Sequence, residues 1–220
     1  MNALKEIIVE FDASNLTWCC WKGLHKIPHA FDGLSDIDIY VPMRESQRPE
    51  KILMKNYWFQ MEPLVTFDGV FHWYKWDSNI NRFLHIHLYR IMRTGMTYSK
   101  SFVLDDTVIL KNLEKDCNGV WIPAKEVSQY LHLLRVQLKS QGLLAKIFLL
   151  KERAKHKKEH AQLDGIGDLD LKESWEMFKP KKVYASSLIS DTHSVLRRAL
   201  GKIRSSKKRL IPAGAIISIV

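Results

Sequence analysis

The chain has 220 residues, 46% of them hydrophobic, and a formal net charge of +10. This suffices for one good core and a smaller second one. Glu6, Glu10 and Asp12 interrupt the apolar N-terminus, and no window approaches the roughly 18 uninterrupted apolar residues of a membrane span, so a soluble, cytoplasmic protein is expected.

In chain order, the first strand-like run is "LTWCCWK", residues 16–22, whose adjacent Cys19 and Cys20 would point to opposite faces. With Cys117 they make three cysteines without metal-ligand spacing, read as reduced core thiols. "LHKIPHAF" follows as a short or broken helix because of Pro28, then the strand-like "SDIDIYV", residues 35–41. A helix over "RPEKILMKNYW" places Pro49 in its first turn. "GVFHWYKW" and "RFLHIHLYR" then read as a hairpin. The expected fold class is α/β (α+β), a mixed sheet with flanking helices over residues 1–122.

From Pro123 the spacing of Val127, Tyr130, Leu131, Leu134 and Leu138, and then of Leu144, Ile147 and Phe148, is helical, with Gly142 marking a turn. A helical domain over 123–195 is expected, with "DGIGDLDL" as a loop before further short helix. Two basic clusters, Lys146–Lys158 and Arg197–Arg209, fit nucleic acid, anionic lipid, a phosphorylated substrate or a solvated face. No nucleic-acid-binding motif accompanies them, so nucleic acid is not the expected partner.

Two aspartates inside the apolar run 35–41 need a reason. On a strand, Asp36, Asp38 and Tyr40 share one face while Ile37, Ile39 and Val41 share the other. Leu84, Ile86 and Leu88 likewise alternate with Phe83, His85, His87 and Tyr89. Carboxylates at i and i+2 lie about 7 Å apart along the backbone, close enough to share a divalent cation. The alternative is an edge strand whose aspartates only face water. His85 and His87 read as a base or metal ligand, or as a hydrogen-bonded pair lining a polar sheet face. In "FHWYKW", His72, Tyr74 and Trp76 alternate with Phe71, Trp73 and Lys75, which suits core packing or base stacking.

The string "WKGLHKIPHAFDGLSDIDIYV" resembles the nucleotidyltransferase superfold, in which a small-residue turn ends the first strand, a helix follows and a second strand carries S-D-x-D. Gly23 takes the turn, thirteen positions before Asp36, with Lys22 beside it. "KG" in place of Gly-Ser looks like the divergent branch found in bacterial surface-polysaccharide loci. The resemblance covers roughly residues 15–105 and is most specific at Ser35–Val41. It implies that Asp36 and Asp38 hold Mg²⁺ or Mn²⁺ on the triphosphate of a nucleoside triphosphate while an acceptor hydroxyl attacks the α-phosphorus. It also implies nucleotide binding by Lys22, Gly23 and Ser35, with a small-molecule or sugar-like acceptor. Members take a third carboxylate from a later strand; here His85 stands at that place, with His87 as a further metal ligand, and Asp68 and Asp77 lie near the preceding strand. A non-catalytic module that senses a nucleotide or docks a neighbouring domain is the rival expectation.

At the other end, "KKRLIPAGAIISIV" resembles the junction to a thymidylate-kinase-like P-loop domain. Residues 196–220 are expected to be a basic linker and the first strand of such a domain, in a longer protein.

Overall fold

The computed structural model describes residues 2–61, 69–95, 100–140 and 169–183. The chain opens with helix α1 (Ala3–Ala13), capped by Asn2, whose side chain accepts the Lys5 N–H at 2.9 Å. Leu4, Ile7, Ile8 and Phe11 are buried at helical spacing.

All four strand-like runs form strands: β1 (Cys19–Lys22), β2 (Asp36–Tyr40), β4 (Val70–Asp77) and β5 (Arg82–Tyr89), with a short β3 (Phe59–Met61) before β4. They make a five-stranded mixed sheet in the order β1-β2-β5-β4-β3. Only the central β2–β5 pair is parallel; the other three pairs are antiparallel. As the prolines require, residues 24–31 form a 3-10 turn and the five-residue helix α2 (Ile27–Phe31), and Pro49 sits in the first turn of α3 (Arg48–Lys55).

The sheet has two different faces. Ile37, Ile39 and Val41 join Leu84, Ile86, Leu88, Cys20 and Trp73 in one core, covered by the apolar side of α1 and by Leu53 of α3. Cys19, Trp21, Tyr40 and Tyr89 lie in a second core with Val127, Tyr130, Leu131, Leu134 and Leu138 of a long helix, α5 (Lys125–Ser140). Cys19 and Cys20 thus point to opposite sides, as strand alternation demands. Cys117 corrects the expectation of three core thiols: it is exposed, in the turn closed by the Gly119 N–H bonding to the Asp116 carbonyl.

Smaller elements complete the described part. β6 (Arg93–Thr94), β7 (Phe102–Val103) and β10 (Lys181–Lys182) form a three-stranded sheet. Helix α4 (Thr107–Lys111) leads into the hairpin of β8 (Leu113–Lys115) and β9 (Trp121–Pro123). Helix α6 (Leu171–Phe178) begins at the last residue of the "DGIGDLDL" stretch, capped by Asp170, and sends Phe178 into the second core. Among the described residues no helix is long and apolar enough to cross a membrane. The turn expected at Gly142, both basic clusters and the expected P-loop strand lie outside the described residues.

Candidate functional site

The second sheet face carries the site because strand register aligns its polar residues. Parallel pairing sets Asp36 beside His85 and Asp38 beside His87, and the antiparallel hairpin sets His72 opposite His87 and Tyr74 opposite His85. All project to one side, since residues separated by two along a strand share a face. Lys22 reaches the same side through an irregularity: the β1–β2 register shifts between Cys20 and Lys22. Trp21 therefore enters the second core while the next residue, Lys22, faces the aspartates on that same side, as a bulge allows.

His87 and Lys22 bind the carboxylates. His87 Nδ1 lies 2.9 Å from Asp36 Oδ2 and 3.2 Å from Asp38 Oδ1, and Lys22 Nζ lies 2.9 Å from Asp38 Oδ1. Lys26 Nζ approaches Asp36 Oδ1 at 3.4 Å, and Ser35 Oγ approaches that oxygen at 3.4 Å and the Asp36 carbonyl at 3.2 Å. The hydroxyl of Tyr89 accepts from Lys22 at 2.7 Å and from Lys100 at 3.2 Å.

The electrostatics follow from these contacts. The hydrogen bond from His87 holds the Asp36 carboxyl far below the usual carboxylate range, against the opposing effects of burial and of Asp38. Burial pushes Asp38 upward, but the Lys22 charge and the His87 hydrogen bond prevail and its pKa also ends well below normal. For His87 burial acts downward, and its hydrogen bonds to both aspartates reverse that into a raised pKa. His72 falls to about 3 and His85 to about 4, through burial first and then the neighbouring His87. Burial and the Lys22 charge bring Lys100 down to about 7.

Gly23 takes up the left-handed φ of +67° at the end of β1, and a Cβ there would stand 3.5 Å from Asp38 Oδ2. A side chain would adopt this backbone only under strain, so Gly23→Ala should cost about 1–2 kcal/mol of stability in urea unfolding. An unchanged unfolding midpoint would contradict that role.

The structure brings together Lys22, Gly23, Ser35, Asp36, Asp38 and His87. His85 shares this face beside His87, 4.3 Å away between centroids, but its Nε2 meets His72 Nδ1 at 3.2 Å and its ring stacks on Tyr74 at 4.1 Å. Asp77 is far from the site, accepting the Ala3 N–H at 2.6 Å at the start of α1, and Asp68 lies outside the described residues. The run 71–76 divides by face: Trp73 is core, Trp76 is exposed beside Phe83, and Tyr74 joins the site face. Sequence reasoning did not single out His72, Lys26 or Lys100 as site residues. For His72 the signal was its alternation with Trp73, but only the hairpin register reveals that it faces His87.

Two donor sets converge here. Asp36, Asp38 and His87 have ligand atoms within 4.8 Å of one another, and so do His72, His85 and His87. The carboxylate oxygens fit a hard cation such as Mg²⁺, whereas imidazole nitrogens prefer zinc and its neighbours. No family model matches the chain, nor does any curated protein or solved structure.

Proposed function

We propose that the chain contains a nucleotidyltransferase-like domain, which moves a nucleotidyl group from a nucleoside triphosphate to a small-molecule or sugar-like acceptor, as surface-polysaccharide biosynthesis requires. The carrying observation is that Asp36 and Asp38 share one strand face directly against the positive-φ turn at Gly23. An antiparallel β1–β2 pair joined through short helix, with a third strand parallel to β2, supports the same reading. Asp36 and Asp38 would hold Mg²⁺ or Mn²⁺, which when bound neutralises triphosphate charge. Lys22 and Lys26 set positive charge against the carboxylates, with Lys100 beside them on the Tyr89 hydroxyl, and the bare Gly23 backbone leaves room for close approach of a phosphate.

One observation favours a second reading, a catalytically inactive module that senses a nucleotide or docks a thymidylate-kinase-like domain. β5 offers histidines where a third carboxylate would stand, and a His85 ring with its pKa near 4 is a poor proton acceptor at neutral pH.

The test is thermal unfolding with a panel of nucleoside triphosphates and Mg²⁺ or Mn²⁺, on the wild type and on Asp36→Asn/Asp38→Asn. A ligand binding only the native state at about 100 times its Kd should stabilise the wild type by roughly 2.7 kcal/mol, and the double variant should lose that gain. Equal stabilisation of both proteins would remove the site assignment. Nucleotide binding without turnover across acceptors would select the sensing module.

A further inference from the structure

We infer that His72, His85 and His87 form a binding site for a first-row divalent transition ion, zinc above all, in which Asp36 and Asp38 orient His87. This does not rest on the nucleotide reading, since it needs only the imidazoles and their supports.

The argument begins with position. All three histidines stand on adjacent antiparallel strands in the middle of the sheet, His72 directly opposite His87 and His85 two residues before it. Backbone pairing on both sides of β5 fixes their spacing without any loop. Their rings gather closely, with centroids 4.3 Å apart for His72–His87 and for His85–His87, and 5.3 Å for His72–His85. Each ring offers one nitrogen within 4.8 Å of the other two.

The distances suit a metal. With bonds of about 2.05 Å, neighbouring nitrogens of a tetrahedral zinc shell stand about 3.3 Å apart. His72 Nδ1 and His85 Nε2 are 3.2 Å apart, so that edge is already formed. The third ligand has the support metal-bound histidines ordinarily have, because His87 Nδ1 faces both carboxylates, and the site therefore requires its Nε2 on the ion. Imidazole selects zinc and its neighbours over Mg²⁺. Three histidines leave a fourth position open, the pattern of sites that bind water or substrate.

Cobalt reports the geometry. The metal-stripped protein, prepared without a polyhistidine tag, is titrated with Co²⁺, and the intense visible bands of tetrahedral cobalt are followed before competition with Zn²⁺ and with Mg²⁺. The expected result is saturation at one equivalent, bleaching by stoichiometric Zn²⁺ and indifference to Mg²⁺. His72→Gln and His85→Gln should each lower affinity by more than the ~10–100-fold that loss of an outer-shell partner costs, and Asp36→Asn/Asp38→Asn should fall within that range and keep the band shape. The wild-type spectrum decides even if a variant fails to fold: absence of tetrahedral bands overturns the site. So does a spectrum unmoved by both histidine substitutions. Binding abolished only in the aspartate variant would put the ion on the carboxylates and likewise overturn it. Loss of the cobalt signal in His72→Gln alongside a retained nucleotide-dependent shift would separate this site from the proposed nucleotide site.

Discussion

Replacing Arg90 with methionine should destabilise the protein by about 3–5 kcal/mol, the cost of breaking a buried charged pair by removing one partner. Arg90 is 3% exposed and follows the last residue of β5. Its Nη1 bonds both Glu50 oxygens, at 3.2 and 3.1 Å, and its Nη2 bonds the Pro42 carbonyl at 3.2 Å and the Ser46 carbonyl. One guanidinium thus ties the end of β5 to α3 and to the loop after the Asp-x-Asp strand. Methionine fills similar volume but leaves a half-buried carboxylate and several carbonyls without their donor, and unsatisfied groups of this kind account for large losses. Because Val41 N–H bonds the Tyr89 carbonyl at 2.9 Å beside this clamp, loosening it should also fray the strand ends nearest the site. Urea unfolding measures the effect, and Arg90→Met/Glu50→Met should recover part of it by removing the orphaned carboxylate. A loss under about 1 kcal/mol for the single variant would show that the clamp is energetically neutral, like many exposed pairs.

What could be read in advance was governed by period. The runs around Ile37 and Leu84 alternate strictly, so their strands, their faces and the shared direction of Asp36, Asp38, His85 and His87 were legible. The pairing of Asp36 with His85 rather than His87 was not, because register is set by partners distant in sequence. The face of Lys22 was hidden for a related reason: the register shift that re-aims it leaves no mark in "CCWK". Helix α1 was legible but was not assigned, although Asn2 and the spacing Leu4, Ile7, Ile8 and Phe11 signal a capped amphipathic helix. Asp77 shows the reverse case, a carboxylate that chain position placed near the chemistry but that packing uses to receive the N–H of Ala3. Residues from other elements, such as Lys100 meeting Lys22 on Tyr89, come together only through the folded chain.

Between about pH 4.5 and 6 the metal-free protein should gain stability as pH rises, with His72 and His85 as the principal site groups responsible. Their folded pKa values fall to about 3 and about 4, through burial and the neighbouring His87, whereas an unfolded histidine titrates near 6.5. In this window the folded protein therefore leaves both rings neutral while the unfolded chain protonates them. Unfolding takes up as many as two protons, and each contributes a slope of roughly 1.4 kcal/mol per pH unit. Both rings keep some contact with solvent, so screening holds the observed slope below that ceiling. The other site groups act outside the window. Asp36 and Asp38 have depressed pKa values, so their contribution is present above the unfolded value near 3.9 and is lost as pH falls through the folded ones. His87 has a raised value, so its contribution is complete below about 6.5 and is lost as pH rises through the folded pKa. Lys100, at about 7 when folded, is protonated in both states below that. Urea unfolding with chelator present, compared between the wild type and His72→Asn/His85→Asn, isolates the two rings between about pH 4.5 and 6, where their coupled neighbour His87 stays protonated in the folded protein. The variant should show the smaller slope up to pH 6.5, and above it the two curves should run parallel, because His87 and Lys100 remain in each. Equal slopes throughout would mean that His72 and His85 are protonated as readily in the folded protein as in the unfolded chain, and the crowding of three rings on one sheet face would carry no electrostatic cost.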